Sequence, residues 1–284
     1  MTCWMNGQYI KSEEIRISPF DHGFLYGVGF FETFRTYNGH VFLFDEHMDR
    51  LRRALSEYRI TMPYEDAEIL AAVRKLNDAE GGEDGYFRLN ISAGEHDIGL
   101  APSSYPKPNV ILFRKKLSLT ARGTEKNGVW LETTRNNPES MIRHKSHNFL
   151  NNVRGRLELP SLKLSEGLFV TVEGFVAEGV TSNVFWMKNG VLYTPAIETG
   201  ILPGTTRAVI IKIARTAGLV VNEGFYSKID VENADELFVT NAVQELVPLS
   251  VLEEVVLPGA GGFYYRKLHG LYVEALEKMK EGTY

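Results

Sequence analysis

A lysine stands among polar neighbours in His144-Lys145-Ser146-His147-Asn148-Phe149-Leu150-Asn151-Asn152. A lysine amine acts as a Schiff-base nucleophile only where part of its population is unprotonated, which takes burial or nearby positive charge. Arg143 and His144 are placed to supply that charge, although residue type alone favours an ordinary solvated lysine. A second signal is Leu202-Pro203-Gly204-Thr205-Thr206-Arg207, which runs into an apolar pattern of helical period. Free backbone N–H groups, the positive end of a helix dipole, a glycine and two hydroxyls would converge there. That is the chemistry of an anion site, and equally that of a capped helix start. Glu178 is a carboxylate among apolar and small residues, so it is paired or functional if buried, and otherwise an exposed hairpin residue. Arg50, close to Arg52 and Arg53, reads as part of a solvated basic face.

The chain that must position these groups has 284 residues, 31 Lys and Arg against 36 Asp and Glu, 44% hydrophobic and 24% charged, the profile of a folded globular protein. This length is near the size at which a single core divides, so two domains with a ligand cleft between them are expected. The net charge of −5 argues against a nucleic-acid partner, which needs a basic surface. Cys3 is the only cysteine, so neither an internal disulfide nor a cysteine zinc cluster can form. The seven histidines lack paired helical spacing, and no metal is expected. Residues 1–10 hold no basic segment followed by an apolar core, and no run reaches the ~20 apolar residues that span a bilayer. The expectation is a cytoplasmic protein with no membrane partner.

Strands are expected at residues 4–10 and 15–17 around an Asn6-Gly7 turn, and Tyr37-Asn38-Gly39 marks a second hairpin. Asp45 is placed to cap a helix in which Met48, Leu51, Leu55 and Tyr58 recur, and a helix after Pro63 buries Ile69, Leu70, Val73 and Leu76. Residues 86–93 alternate strictly, with Tyr86, Arg88, Asn90 and Ser92 on one face and Phe87, Leu89, Ile91 and Ala93 on the other. After a strand at 109–113, a charged stretch marks a boundary between a smaller domain over residues 1–119 and a larger one over 120–284. The larger one alternates strands at 129–135, 168–172, 176–178, 183–187, 191–194, 219–223 and 236–240 with three helices. The first helix contains Leu150, Val153 and Leu157. The second starts near Thr205, buries Val209, Ile210, Ile213 and Ala214, and stops at Gly218. The last uses Leu268, Leu271, Tyr272, Ala275 and Met279. The fold class is α/β (α+β) with many antiparallel hairpins.

In this order the motifs resemble the class IV aminotransferases, the fold-type IV pyridoxal-phosphate enzymes, over nearly the whole chain. The resemblance rests on Ser18-Pro19-Phe20-Asp21-His22-Gly23-Phe24-Leu25-Tyr26-Gly27, Phe31-Glu32-Thr33-Phe34-Arg35, His47, Arg50, Leu51 and the lysine segment. It continues through Val176-Ala177-Glu178-Gly179, Ser182-Asn183-Val184-Phe185, residues 200–207 and Ala234-Asp235-Glu236. It implies a smaller N-terminal α/β sandwich, a larger C-terminal pseudo-barrel, a homodimer, and pyridoxal 5'-phosphate bonded to Lys145. It further implies that Glu178 pairs with the cofactor's ring nitrogen, and that Arg50, Asn183, Gly204, Thr205, Thr206 and Asn241 complete the cofactor contacts, most of them around the phosphate.

Within the family, residues 18–29, the strand Arg88-Leu89-Asn90-Ile91-Ser92-Ala93-Gly94, Lys145-Ser146-His147, Phe149-Leu150-Asn151-Asn152 and Ser182-Asn183-Val184-Phe185-Trp186 are most similar to the aminodeoxychorismate lyase branch. That branch implies conversion of 4-amino-4-deoxychorismate to p-aminobenzoate and pyruvate in folate biosynthesis. Thr33 would then be catalytic, relaying a proton to the leaving group, and otherwise a β-branched strand residue. Tyr26, Arg35 and Arg88 would line the substrate pocket. Two positions depart from the wider family: Phe149 stands where many relatives carry tyrosine, leaving Asn148 or water as donor, and Thr240-Asn241-Ala242 has fewer hydroxyls. A D-amino-acid or branched-chain aminotransferase is the rival within the family, and a non-catalytic phosphate-ligand module the rival outside it.

Overall fold

The computed structural model describes residues 1–100, 102–118, 121–161 and 163–280, so the expected boundary at residues 119 and 120 lies outside the described residues. The chain forms two compact units, Met1–Ser118 with His144–Asn148, and Leu119–Arg143 with Phe149–Tyr284. Residues 144–148, expected in the larger domain, group with the first unit because their backbone pairs with a strand there.

The first unit contains β1 (Thr2–Met5), β2 (Gln8–Lys11), α1 (His22–Tyr26), β3 (Gly29–Tyr37), β4 (His40–Val41), α2 (Phe44–Glu57), α3 (Asp66–Asp78), β5 (Gly85–Ser92) and β6 (Asn109–Lys116). Its sheet runs β2-β1-β6-β5-β3-β4, antiparallel throughout. Asn6 and Gly7 both take positive φ, as a two-residue hairpin turn demands. Residues 15–17 form no strand: Arg16 bonds back onto the carbonyls of Glu13 and Ile15, and Ile17 is exposed. Asp45 does not cap α2 but lies inside its first turn, where a carboxylate meets the positive end of the dipole. The apolar phase of β5 behaves as its alternation predicts: Phe87, Leu89 and Ile91 are buried with Phe34, Met48, Leu51, Leu55, Ile69, Val73 and Leu76 of the neighbouring strand and helices.

The second unit contains β7 (Lys126–Trp130), α4 (Leu150–Leu157), β8 (Ser165–Val170), β9 (Val176–Gly179), β10 (Asn183–Lys188), β11 (Val191–Pro195), α5 (Thr205–Thr216), β12 (Val221–Gly224), α6 (Lys228–Glu232), β13 (Glu236–Asn241), β14 (Glu245–Leu252), β15 (Val255–Val256) and α7 (Phe263–Lys280). Its sheet follows β12-β11-β10-β13-β14-β7-β8-β9, with β15 on β14. β9, last in that order, also packs against β10 and β11, so the sheet curls towards itself. Its inner face buries Val184, Trp186, Leu237, Val239 and Leu249. On the other face Phe185 stacks on Phe238, which Tyr265 of α7 covers.

β14 escapes sequence reading because Pro248 looks like a strand breaker; it stands opposite Phe238 in the pairing with β13. β7 ends at Trp130, earlier than expected. In α4 the expected apolar stripe faces outward: Leu150, Val153 and Leu157 are exposed, whereas Asn152 and Gly155 are buried. The side chain of Met279 lies outside the described residues. No described helix is long and apolar enough to cross a membrane.

Phe87 is fully buried and stacked on Phe34 with ring centres 5.9 Å apart. Phe87→Ala should therefore lower the unfolding free energy by about 3–5 kcal/mol in a urea titration; a loss below about 1 kcal/mol would contradict the packing described.

Candidate active site

The first unit gathers its candidate residues on one face of the β3–β5 pair. Registry sets Phe31 opposite Asn90, Thr33 opposite Arg88 and Arg35 opposite Tyr86, and the pleat turns these side chains the same way. Residues 145–147 run along the free edge of β3, where the Phe31 N–H donates to the Lys145 carbonyl (2.9 Å) and the His147 N–H to the Gly29 carbonyl (2.9 Å). The Lys145 amine lies 4.6 Å from the centre of the Phe31 ring, and the Arg88 guanidinium carbon 3.5 Å from the same centre. The cation sharing a ring with Lys145 is thus Arg88. The two basic residues singled out by sequence are engaged elsewhere: His144 bonds Glu57 at 2.8 Å, and Arg143 donates to the carbonyls of Gly200 and Asn136. Tyr26 is partly exposed, its hydroxyl accepting from the Gly99 N–H at 2.7 Å.

Arg50 is buried and does not belong to a solvated face. Its Nε and one terminal nitrogen bind the two oxygens of Glu32 at 2.8 and 2.7 Å, and the His47 ring binds the same carboxylate at 2.7 Å. Glu32 projects from the side of β3 opposite Thr33, and Arg50 of α2 meets it there through Nε and one terminal nitrogen. Burial pushes the Glu32 carboxyl up, but Arg50 and His47 outweigh it and hold it at about 2. The sequence carried a signal for Glu32, a charged residue in the buried phase between Phe30 and Phe34.

In the second unit Glu178 is buried and paired, which removes the exposed-hairpin reading. Its Oε1 accepts from Arg135 at 2.9 and 2.7 Å, and its Oε2 from the Leu202 N–H at 2.9 Å and Asn183 Nδ2 at 3.4 Å. Asn183 also donates to the Leu202 carbonyl at 2.9 Å, and a Cβ on Gly204 would fall 2.0 Å from its Oδ1. Only glycine lets the chain enter α5 this closely. Arg135 left no sequence signal beyond its charge.

α5 opens at Thr205 with Gly204 as its first flanking residue and no side-chain cap. The Thr206 hydroxyl is buried there without a hydrogen-bond partner. A buried hydroxyl left unpaired costs about 1–3 kcal/mol, and beside the N–H groups of a helix start it suits an anionic oxygen. The hydroxyl of Thr240, from the segment with fewer hydroxyls than in the wider family, is likewise buried and unpartnered; Thr240 pairs with Asn183 across β13 and β10. Asn241 turns inward on its own loop, its Oδ1 accepting from the N–H groups of Val243 (3.0 Å) and Gln244 (2.7 Å) and its Nδ2 donating to Gln244 Oε1 (3.2 Å). Among the described residues no group of three or more His, Cys, Asp or Glu could hold a metal ion.

The sequence model of the amino-transferase class IV family matches residues 29–252. The chain is 42% identical over 279 residues to the aminodeoxychorismate lyase of Bacillus subtilis (strain 168), covering 97% of this chain and 95% of that one. The crystal structure of the Escherichia coli branched-chain amino acid aminotransferase superposes with a TM-score of 0.87 at 27% identity, covering 96% of this chain and 93% of that one. The branched-chain aminotransferase of the thermophilic archaeon Thermoproteus uzoniensis, with norvaline, gives 0.88 at 26% identity, with 100% and 95% coverage.

The Glu32 carboxyl is held below its ordinary value of 4.5, so its pairing stabilises the fold fully above that pH and is lost as pH falls through about 2. Glu32→Gln should cost about 3–5 kcal/mol at neutral pH by leaving Arg50 buried with a neutral partner. Parallel denaturant titrations should show the parent's advantage shrinking between pH 4.5 and about 2; an advantage constant over that window would refute the pairing.

Proposed function

Because the chain belongs to the amino-transferase class IV family, we propose that it is a pyridoxal 5'-phosphate-dependent aminodeoxychorismate lyase, converting 4-amino-4-deoxychorismate to p-aminobenzoate and pyruvate. The observation that carries this reading is the 42% identity to the lyase relative across nearly the full length of both chains. The residues present fit the cofactor: an unpartnered buried hydroxyl at a helix start suits a phosphate, and a buried carboxylate suits a protonated ring nitrogen.

Bound pyridoxal 5'-phosphate supplies an amine-capturing aldehyde and an electron-accepting ring. Lys145 would hold it through its amine, and that amine would take the proton from the substrate carbon that bears the nitrogen. Glu178 keeps the proton on the ring nitrogen, its carboxylate oriented by Arg135, Asn183 and the Leu202 N–H. The backbone of Gly204, Thr205 and Thr206, the Thr206 hydroxyl and Arg50 hold the phosphate, and Asn241 shapes the turn that follows Thr240. The Thr33 hydroxyl hands a proton to the departing enolpyruvyl group. Arg88 and Arg35 receive the substrate carboxylates, with Tyr26 at the pocket wall. Loss of pyruvate makes the product ring aromatic, and no keto-acid second substrate is consumed. The exposed apolar stripe of α4 supports a homodimer, and the lone buried Cys3 suits the cytoplasm.

Borohydride reduction followed by peptide mapping should leave a phosphopyridoxyl mass on the Lys145 peptide, and Lys145→Ala should lower p-aminobenzoate formation by about 10³-fold or more. An adduct on any other residue refutes the lysine's role; stoichiometric conversion of the cofactor by alanine, with no p-aminobenzoate released from the substrate, refutes the lyase in favour of a transaminase. For the dimer, Leu157→Glu should shift the mass measured by light scattering towards the monomer, and a parent that is itself monomeric would overturn the assembly.

A further inference from the structure

The face of the first unit that carries Arg88 also holds two polar residues to which the functional reading gives no task. Asn90 Oδ1 accepts from Arg88 Nε at 3.2 Å and from an Arg88 terminal nitrogen at 3.1 Å. Its third partner is His147 Nε2, at 3.1 Å. Arginine has only donors, so its two bonds fix which end of the amide is the oxygen, and His147 must donate from Nε2. The imidazole is held from behind. Its N–H backbone bond to Gly29 seats the ring so close that a Cβ on Gly29 would lie 2.3 Å from both Cε1 and Nδ1. The ring also lies nearly parallel to Phe31, at 28°, with centres 6.5 Å apart. Burial, then Arg88, push its pKa down to about 4 against the opposing pull of Asp21, so the ring is neutral at physiological pH.

We propose that His147 and Asn90 are positioning residues for Arg88. They hold its Nε edge against the sheet, flat over Phe31, so that its outer edge forms the fork for a substrate carboxylate. This rests on the reading of Arg88 as a substrate-binding residue. A long arginine side chain that enters the encounter already oriented loses less freedom on binding. A neutral imidazole is the right partner for this task. It satisfies the shared oxygen without setting a second positive charge beside the guanidinium, whereas a carboxylate there would compete with the substrate for Arg88.

The test uses the holoenzyme and steady-state kinetics with 4-amino-4-deoxychorismate. His147→Phe keeps the ring and removes the donor; His147→Gln keeps a donor near the Nε2 position. The Phe variant should raise KM about tenfold, the size of one lost hydrogen bond to a charged network, with kcat changed less than about threefold. The Gln variant should return KM to within about threefold of the parent. An unchanged KM in the Phe variant, or a Gln variant no better than Phe, overturns the proposal. Should the variants fold poorly, nitrogen NMR of the parent decides: a neutral Nε2–H ring on His147 is expected, and a protonated ring or an Nδ1–H ring overturns it. Arg88→Lys separates the two layers. A parental KM there sinks the substrate reading itself, whereas a raised KM alongside an indifferent His147→Phe sinks the relay alone.

Discussion

A charge removed from water has to be answered at once by an opposite charge or several hydrogen bonds, and both units are organised by that demand. In the first, Glu32 on β3 faces Arg50 and His47 of α2, which locks the helix to the strand in one register. In the second, Glu178 on β9 is met by Arg135, Asn183 and the Leu202 N–H, which fixes the approach of the chain to α5. Removing one partner of either pair would leave an uncompensated buried charge, so each acidic group commits its neighbours to a single arrangement.

The two polar clusters differ in what remains unsatisfied. Glu32 and Glu178 accept several hydrogen bonds each, whereas the Thr206 and Thr240 hydroxyls are buried without any. A fold tolerates such deficits only in small amounts, and these two hydroxyls belong to residues that neighbour Thr205 and Asn241, which the family resemblance assigns to the cofactor. The lysine is positioned differently again. Its backbone is stitched to β3, which fixes the main chain, while its amine rests over the aromatic face of Phe31.

Much of this was legible in the residues. The alternation over 86–93 fixed which side of β5 would be polar, and the Gly204-Thr205-Thr206 step announced a helix start with spare donors. What sequence could not supply was long-range partnership. Arg50 looks like one of three surface arginines until Glu32, eighteen positions earlier, is seen beneath it. Arg135 has no local mark at all, because its meaning lies in a carboxylate on another strand. Helix α4 misled in the opposite sense: its apolar spacing is real, but the residues point outward, since periodicity tells which side chains share a face and not what that face meets. Pro248 hid a strand because proline lacks the ladder donor, yet here it keeps its place opposite Phe238 in the pairing with β13.

The return of residues 144–148 to the first unit bears on how the chain is made. On a ribosome the first 118 residues emerge with one margin of β3 still open, at the place where the backbone of Phe31 seeks a partner. That margin closes only after the start of the second unit has been synthesised and the chain has doubled back. Until then it is an unpaired strand edge, the kind of surface on which nascent chains adhere to one another. The same stretch that carries Lys145, the proposed cofactor anchor, is the one that seals the sheet, so the proposed anchor is seated only when the first fold is completed.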